Sequence, residues 1–351
     1  MSGVHQTTTD SYDPARAVEY GQLIQLAYDM YGNGQGPTPA PPTPFQDGYT
    51  FTAWVQMRDF FIEEGDWTFY GFIAQRTSKA NEFVLAIRGT GNNIEWLDDI
   101  TSMVPVPMAG FGEVAYGFNR IYQTLRVVKP AVAQTLGAEL QARSIQPSGT
   151  FAEQVEATVR ERAAATARTS DMKAEAPSAA MTIEVAGHSL GAALSTLYVA
   201  ENATVGHATI PLICTFASPR VGDPVFAAKF DELAISSWRI VNELDLVPKL
   251  PFLGFQHVKT ERAYNSGGSV DWSLACWHSL STYLHLIDPK QPLAIECKRP
   301  SSQVGPATAS LRSAAMTAAV AAKDSGKGEK GIAVSVPAEA GATINITIKI
   351  G

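Results

Sequence analysis

Apolar positions along the chain switch between helical and extended spacing, and the switches divide it into elements. Over residues 14–31, Ala17, Leu23, Ile24, Leu26, Ala27, Met30 and Tyr31 recur at helical spacing behind Asp13 and Pro14, placed as cap and first turn. That predicts an N-terminal helix packed on a core. The Gly- and Pro-rich stretch 32–47 ends it. Residues 51–55 and 68–75 read as strands, and 82–87 as a buried strand running into Arg88, Gly89 and Thr90. From Phe118 to about Leu140 the spacing turns helical again, whereas 144–180 is charged, Ala-rich and weak in apolar periodicity, and reads as a surface insertion. Strands resume at 182–186, 212–216 and 238–242, with a helix over 190–202. Strands separated by helices predict an α/β fold, a mostly parallel central sheet with helices on both faces. Beyond Lys298 the Ala-, Ser-, Gly- and Lys-rich stretch 299–331 reads as a linker, and alternation over 332–336 and 344–350 predicts a small C-terminal β-hairpin appendage spanning 332–351. Residues 1–298 then form one large domain.

Composition narrows the function without naming it. The 351 residues are 45% hydrophobic and 17% charged, and no apolar run approaches a membrane span. A net charge of −7, without a basic block or stripe, argues against a nucleic-acid partner. Cys214, Cys276 and Cys297 form no C-x-x-C pair, which argues against a zinc cluster or a disulfide scaffold and points to three buried thiols. Residues 1–13 lack the basic and apolar regions of a secretory signal, so an intracellular chain and one whose leader has been removed are both open.

The chemistry centres on Gly187-His188-Ser189-Leu190-Gly191. The five-residue pattern is weak alone, but it stands between a predicted strand and a predicted helix, the setting of a nucleophile elbow. A turn this sharp needs small neighbours, and Gly187, Gly191 and Ala192 supply them. A serine hydroxyl is a poor nucleophile, so Ser189 needs a histidine base and an acid that fixes the imidazole tautomer. In the chain order Ser, acid, His, the acid belongs just past a later strand, where Asp245 stands. Asp223, between Gly222 and Pro224, is the weaker rival, because a turn aspartate more often bonds its own backbone. Downstream histidines are His257, His278 and His285. His188 is too close to Ser189 to fold back onto it. His257 sits in an apolar segment and reads as structural. His278 and His285 fall on one expected helix, about 10 Å apart along its axis, so only one can reach Ser189. His278, at its start, is the better placed. The backbone N–H of Leu190 supplies one oxyanion donor by elbow geometry. Thr90 offers a second, although Arg88-Gly89-Thr90 reads equally well as an ordinary strand exit.

Taken together, these segments resemble the fungal-type, or class three, lipase family of the α/β-hydrolase fold. The resemblance is carried in order by Ala86-Ile87-Arg88-Gly89-Thr90, Glu95-Trp96-Leu97-Asp98-Asp99, the elbow, Ser218-Pro219-Arg220-Val221-Gly222, the run from Val241 to Pro248, and His278 to Leu284. It implies Ser189, Asp245 and His278 as the triad, Thr90 and Leu190 as the oxyanion pair, and Asp99 as the acid supporting the oxyanion loop. It also implies a helical lid over 92–111, whose residues Ile94, Trp96, Leu97, Ile100, Met103 and Val104, together with Val106 and Met108, are apolar for a surface segment. Two positions depart from the family's pattern: Tyr116 lies where a histidine before Gly-Phe is common, and Ala192 follows the elbow where glycine is frequent. The implied activity is serine carboxylic-ester hydrolysis, a lipase acting on acylglycerols at a lipid–water interface, without metal or organic cofactor. Phospholipase A1 and feruloyl esterase activities use the same residues, and a non-catalytic module binding lipid or a protein partner is the alternative of another class.

Overall fold

A computed structural model describes residues 12–34, 36–58, 66–91, 104–130, 148–169, 180–259 and 261–299, and the strands at 321–322, 330–337 and 343–350. The elements are α1 (Pro14–Gly32), β1 (Tyr49–Arg58), β2 (Trp67–Arg76), β3 (Glu82–Ile87), β4 (Pro105–Met108), β5 (Gly112–Ala115), α2 (Tyr116–Tyr122), β6 (Arg126–Val128) and α3 (Phe151–Thr169). They continue as β7 (Thr182–His188), α4 (Leu190–Val205), β8 (Leu212–Phe216), α5 (Pro224–Asp231), β9 (Ser236–Asn242), β10 (Glu261–Tyr264), α6 (Leu274–His278) and α7 (Leu280–Ile287). Strands β11 (Ala321–Ala322), β12 (Lys330–Pro337) and β13 (Thr343–Ile350) follow.

Among the described residues an eight-stranded sheet runs in the order β10-β9-β8-β7-β3-β2-β1-β6. From β3 to β10 every pairing is parallel, and β2, β1 and β6 add antiparallel pairings at the other side. Side chains alternate across the sheet: Phe83, Leu85 and Ile87 join the core under α2, α3 and α4, while Val84 and Ala86 face the core under α1 and α7. Helices therefore cover both faces, which is why the parallel strands carry unbroken apolar runs. This is the α/β-hydrolase architecture expected from the sequence. The carboxyl ends of β3, β7, β8 and β9 open on the same edge, where ligands of parallel sheets bind.

Helix α1 begins where expected. Asp13 caps it by accepting from the Ala15 and Arg16 amides, and Pro14 occupies the first turn. Its inner face buries Ala17, Tyr20, Leu23, Ile24 and Ala27 completely. Arg16 pairs with Glu184 of β7, and the Tyr20 hydroxyl donates to the same carboxylate at 2.6 Å. Arg76 of β2 pairs with it at 2.9 Å. A buried carboxylate with several donors anchors α1 across the sheet.

Several expectations need correction. Within the stretch 144–180, the described part is not a surface insertion: α3 buries Phe151, Ala152, Val155 and Val159 in the main core. Its start is a capping box, in which the Glu153 amide donates to Thr150 Oγ1 and the Thr150 amide donates to Glu153 Oε2. Of the helix expected from Phe118 to about Leu140, the described residues contain α2, which ends at Tyr122. Val127 and Val128 then pair as β6 with β1, favoured by their branching and by Pro130, which holds the preceding residue extended. Residues 131–147 lie outside the described residues. Cys276 and Cys297 are not free thiols but a disulfide, and Cys214 is the buried free one. At the C-terminus β12 and β13 pair antiparallel, from Lys330 opposite Ile350 to Pro337 opposite Thr343, with β11 added beside β12. No helix among the described residues is long and apolar enough to cross a membrane.

Candidate active site

Ser189 follows β7 directly and precedes α4, on a backbone with φ of 59°. A non-glycine residue at positive φ is strained, and the strain persists because the surroundings leave no slack. A Cβ added to Gly191 would lie 2.3 Å from the Ile87 carbonyl oxygen and 2.4 Å from that of Arg88, so only glycine lets α4 approach β3 this closely. The Ser189 amide donates to the Phe216 carbonyl at 2.9 Å, tying the turn to β8.

Three side chains expected to act together form one hydrogen-bonded chain. Ser189 Oγ lies 2.8 Å from His278 Nε2, and His278 Nδ1 lies 2.8 Å from Asp245 Oδ2. An ionised carboxylate can only accept, so Nδ1 carries the proton and Nε2 is left to accept from the serine hydroxyl. All three residues are at most 4% exposed, which keeps bulk water from competing for these bonds. Asp245 follows β9, and its other oxygen accepts from the Val247 amide at 3.0 Å. The rival acid, Asp223, caps α5 by accepting from the Phe226 amide at 2.7 Å and takes the Glu113 amide as well. It stands apart from the chain of three. His257 Nε2 bonds the Pro248 carbonyl, and burial lowers its pKa to about 3. His285 Nδ1 faces the Gln291 carbonyl at 2.8 Å.

His278 is not the first residue of a long helix. It ends the short α6, and Ser279, extended at ψ of 132°, separates it from α7. Three consecutive carbonyls here are held by side chains from three elements. Thr282 Oγ1 donates to the Cys276 carbonyl at 2.6 Å, Asn242 Nδ2 to that of Trp277 at 2.9 Å, and His188 Nε2 lies 2.9 Å from that of His278. The Cys276–Cys297 disulfide adds a covalent tie two residues before the histidine.

The two residues expected as oxyanion donors, Thr90 and Leu190, sit at the exit of β3 and the start of α4. Leu190 opens α4, where an amide has no carbonyl four residues earlier in the helix to bond. Thr90 lies in the exit of β3, whose path is set by the buried Arg88. The Arg88 guanidinium donates to the Phe69 and Gly89 carbonyls and lies between the rings of Tyr31 and Tyr70, 3.5 and 4.2 Å from their centroids. Gly89 touches the turn of Ser189: a Cβ there would be 2.9 Å from Ser189 Cβ.

Of the lid residues, Ile94, Trp96, Leu97, Ile100 and Met103 lie outside the described residues, as does Asp99. Val104 is described and 63% exposed. The expected lid does not extend to 111 as a helix, because 105–115 forms the β4–β5 ribbon, with Val106 and Met108 packed against the core and Phe111 buried in it. Proline at 105 and 107 and the positive φ of Gly110 favour that hairpin over a helix.

Sequence reasoning missed Tyr283, whose hydroxyl donates to Asp245 Oδ2 at 2.7 Å. It also missed Asn242, Tyr28 and the side chain of His188. Tyr283 lies five residues past His278 in an apolar helix, where a buried tyrosine needs a partner for its hydroxyl, and that need was the available signal.

The sequence model of the class 3 lipases matches residues 84–255, a stretch that contains Ser189 and Asp245 and stops short of His278. Phospholipase A1-II 4 of Oryza sativa subsp. japonica is 30% identical over 245 residues, covering 64% of this chain and 57% of the relative. Phospholipase A1-II 3 of Oryza sativa subsp. indica is 32% identical over 250 residues, covering 64% and 54%. The chain thus spans a little over half the length of these curated relatives. Among solved structures, the lipase from Rhizopus microsporus var. chinensis aligns with a TM-score of 0.46 at 18% identity, over 71% of this chain and 74% of that one.

Proposed function

We propose, from the match of residues 84–255 to the class 3 lipases, that this chain is a serine carboxylic-ester hydrolase that cleaves acyl esters of glycerolipids, acylglycerols first. The observation that carries the reading is the unbroken run Ser189 Oγ, His278 Nε2, His278 Nδ1, Asp245 Oδ2, with both gaps at 2.8 Å. In this mechanism Ser189 Oγ attacks the ester carbonyl carbon while its proton passes to His278 Nε2, and Asp245 stabilises the imidazolium. The oxyanion accepts hydrogen bonds from the Leu190 amide and from Thr90. Collapse breaks the bond to the leaving oxygen, which takes the proton from His278 and departs as the alcohol. Water, deprotonated by the same imidazole, then attacks the acyl-enzyme and releases the carboxylic acid, restoring Ser189.

Phospholipase A1 activity is the second reading, favoured by the similarity to the two rice phospholipases A1. Rates on triacylglycerol and on phosphatidylcholine, measured over a series of acyl-chain lengths below and above substrate aggregation, separate the two. Faster cleavage of the neutral lipid is expected. A preference for the phospholipid's sn-1 ester selects the second reading, and cleavage of aromatic feruloyl esters alone removes both. Ser189→Ala lowers ester hydrolysis by about four orders of magnitude or more in a folded protein. The non-catalytic alternative predicts no hydrolysis by the wild type.

A further inference from the structure

His188 precedes the nucleophile and has no part in the proton transfers, yet both of its ring nitrogens are engaged. Nε2 lies 2.9 Å from the His278 carbonyl oxygen, and Nδ1 lies 2.8 Å from the Tyr28 hydroxyl. The Tyr28 oxygen in turn accepts from the Gly89 amide at 2.8 Å. Only one assignment of protons satisfies all three bonds with a neutral ring. The carbonyl can only accept, so Nε2 carries the proton; Nδ1 then accepts from the tyrosine O–H, whose oxygen is left for the Gly89 N–H. The path runs from the exit of β3, one residue before Thr90, through α1 and the elbow to the backbone of His278.

We propose that Tyr28 and His188 form a neutral hydrogen-bonded strut that positions His278 relative to the Gly89–Thr90 strand exit, making both of them positioning residues for the hydrolysis. The inference rests on the ester-hydrolase reading of Ser189. The two ends of the strut are the two parts of the site that must keep a fixed separation while charge develops: the base on one side and the oxyanion donors on the other. Covalently they are far apart, since 188 residues separate Thr90 from His278, and no strand pairing joins β3 to α6. Burial and the adjacent His278 push His188 well below the ordinary histidine range, consistent with a ring that stays neutral when His278 becomes charged. Burial likewise pushes the Tyr28 hydroxyl upward, so it remains a donor.

The test compares wild type, Tyr28→Phe, His188→Gln and His188→Asn by kcat and KM on a soluble short-chain ester, by thermal melting, and by the ring N–H signals of 15N-histidine-labelled protein. A glutamine Nε2 lies about where the imidazole Nε2 does and can still donate to the His278 carbonyl, whereas the asparagine amide sits at the Nδ1 position and falls short. The strut predicts kcat lower by about 10-fold in Tyr28→Phe and about 100-fold in His188→Asn, with KM within about two-fold and most of the rate recovered in His188→Gln. It also predicts a shifted or broadened His278 Nδ1–H signal in Tyr28→Phe and His188→Asn. Unchanged kcat and an unmoved signal in Tyr28→Phe and His188→Asn would overturn it, as would losses equal in Gln and Asn that follow melting temperature alone. If His188→Asn does not fold, Tyr28→Phe, which removes one oxygen, decides by the same two readouts. A wild type that turns over no ester contradicts the hydrolase reading instead, and the N–H signals still decide the strut.

Discussion

Asp245 Oδ2 takes hydrogen bonds from both His278 Nδ1 and Tyr283, so the tyrosine fixes the direction in which the carboxylate meets the imidazole. Removing that hydroxyl leaves the acid's charge in place but loosens its aim. Tyr283→Phe is expected to lower kcat by about 10-fold with little change in KM, at a stability cost of about 1–2 kcal/mol for the lost bond to a charged group. Full activity in a purified Tyr283→Phe protein would show that the Val247 amide alone orients the acid. That Ser189, Asp245 and His278 would meet was legible in the sequence because chemistry restricts such a trio to a few residue types in a fixed order along the chain. Those that hold them were not. Tyr283, Tyr28 and Asn242 act through bonds to residues 38, 160 and 35 positions away, and no local spacing encodes such pairs.

The strands that carry the site were readable because a buried parallel strand must be a continuous apolar run, and β3, β7, β8 and β9 begin or end within two residues of their expected limits. Helix α3 was misread for the opposite reason. Its buried positions are small or widely spaced among charges, so only Phe151, Val155 and Val159, four apart behind the Thr150–Glu153 box, gave it away. The disulfide was missed because three cysteines fit no motif, and only the turn of the chain after α7 brings Cys297 to Cys276. Closing a loop of 21 residues is worth about 3 kcal/mol of stability in the chain-entropy picture. The bridge also pins α6, which ends at His278. The double variant Cys276→Ser/Cys297→Ser is therefore expected to melt several degrees lower and to lose activity on warming before it unfolds globally. Coincident loss of activity and structure in both proteins would limit the bridge to a global role.

Over the whole molecule, the two histidines buried beside other groups make stability depend on pH. Burial, with Arg239 and Arg220 nearby, lowers His257 to about 3, and burial next to His278 lowers His188 well below its ordinary range. The unfolded chain protonates both near pH 6.5, so between that value and the lower folded one it binds more protons than the native state. Their stabilisation is complete above about pH 6.5 and falls as pH drops toward 3, by at most about 1.4 kcal/mol per pH unit for each histidine. Thermal melts should be level from pH 7.5 to about 6.5 and fall from there to pH 4, and a profile flat throughout would contradict the assigned burial. At this scale the layered α/β plan followed from alternation of strands and helices, while the β4–β5 ribbon and β10 did not, being short segments whose pairing partners lie elsewhere in the chain. The central claim is that Ser189 is a nucleophile activated by His278. Labelling with a serine-directed alkyl phosphonate, followed by mass spectrometry of wild type, Ser189→Ala and His278→Ala, tests it most directly. The account predicts one adduct on Ser189 in the wild type, none in Ser189→Ala and labelling slowed by about 1,000-fold or more in His278→Ala. An unlabelled, folded wild type, or undiminished labelling in either variant, would contradict it.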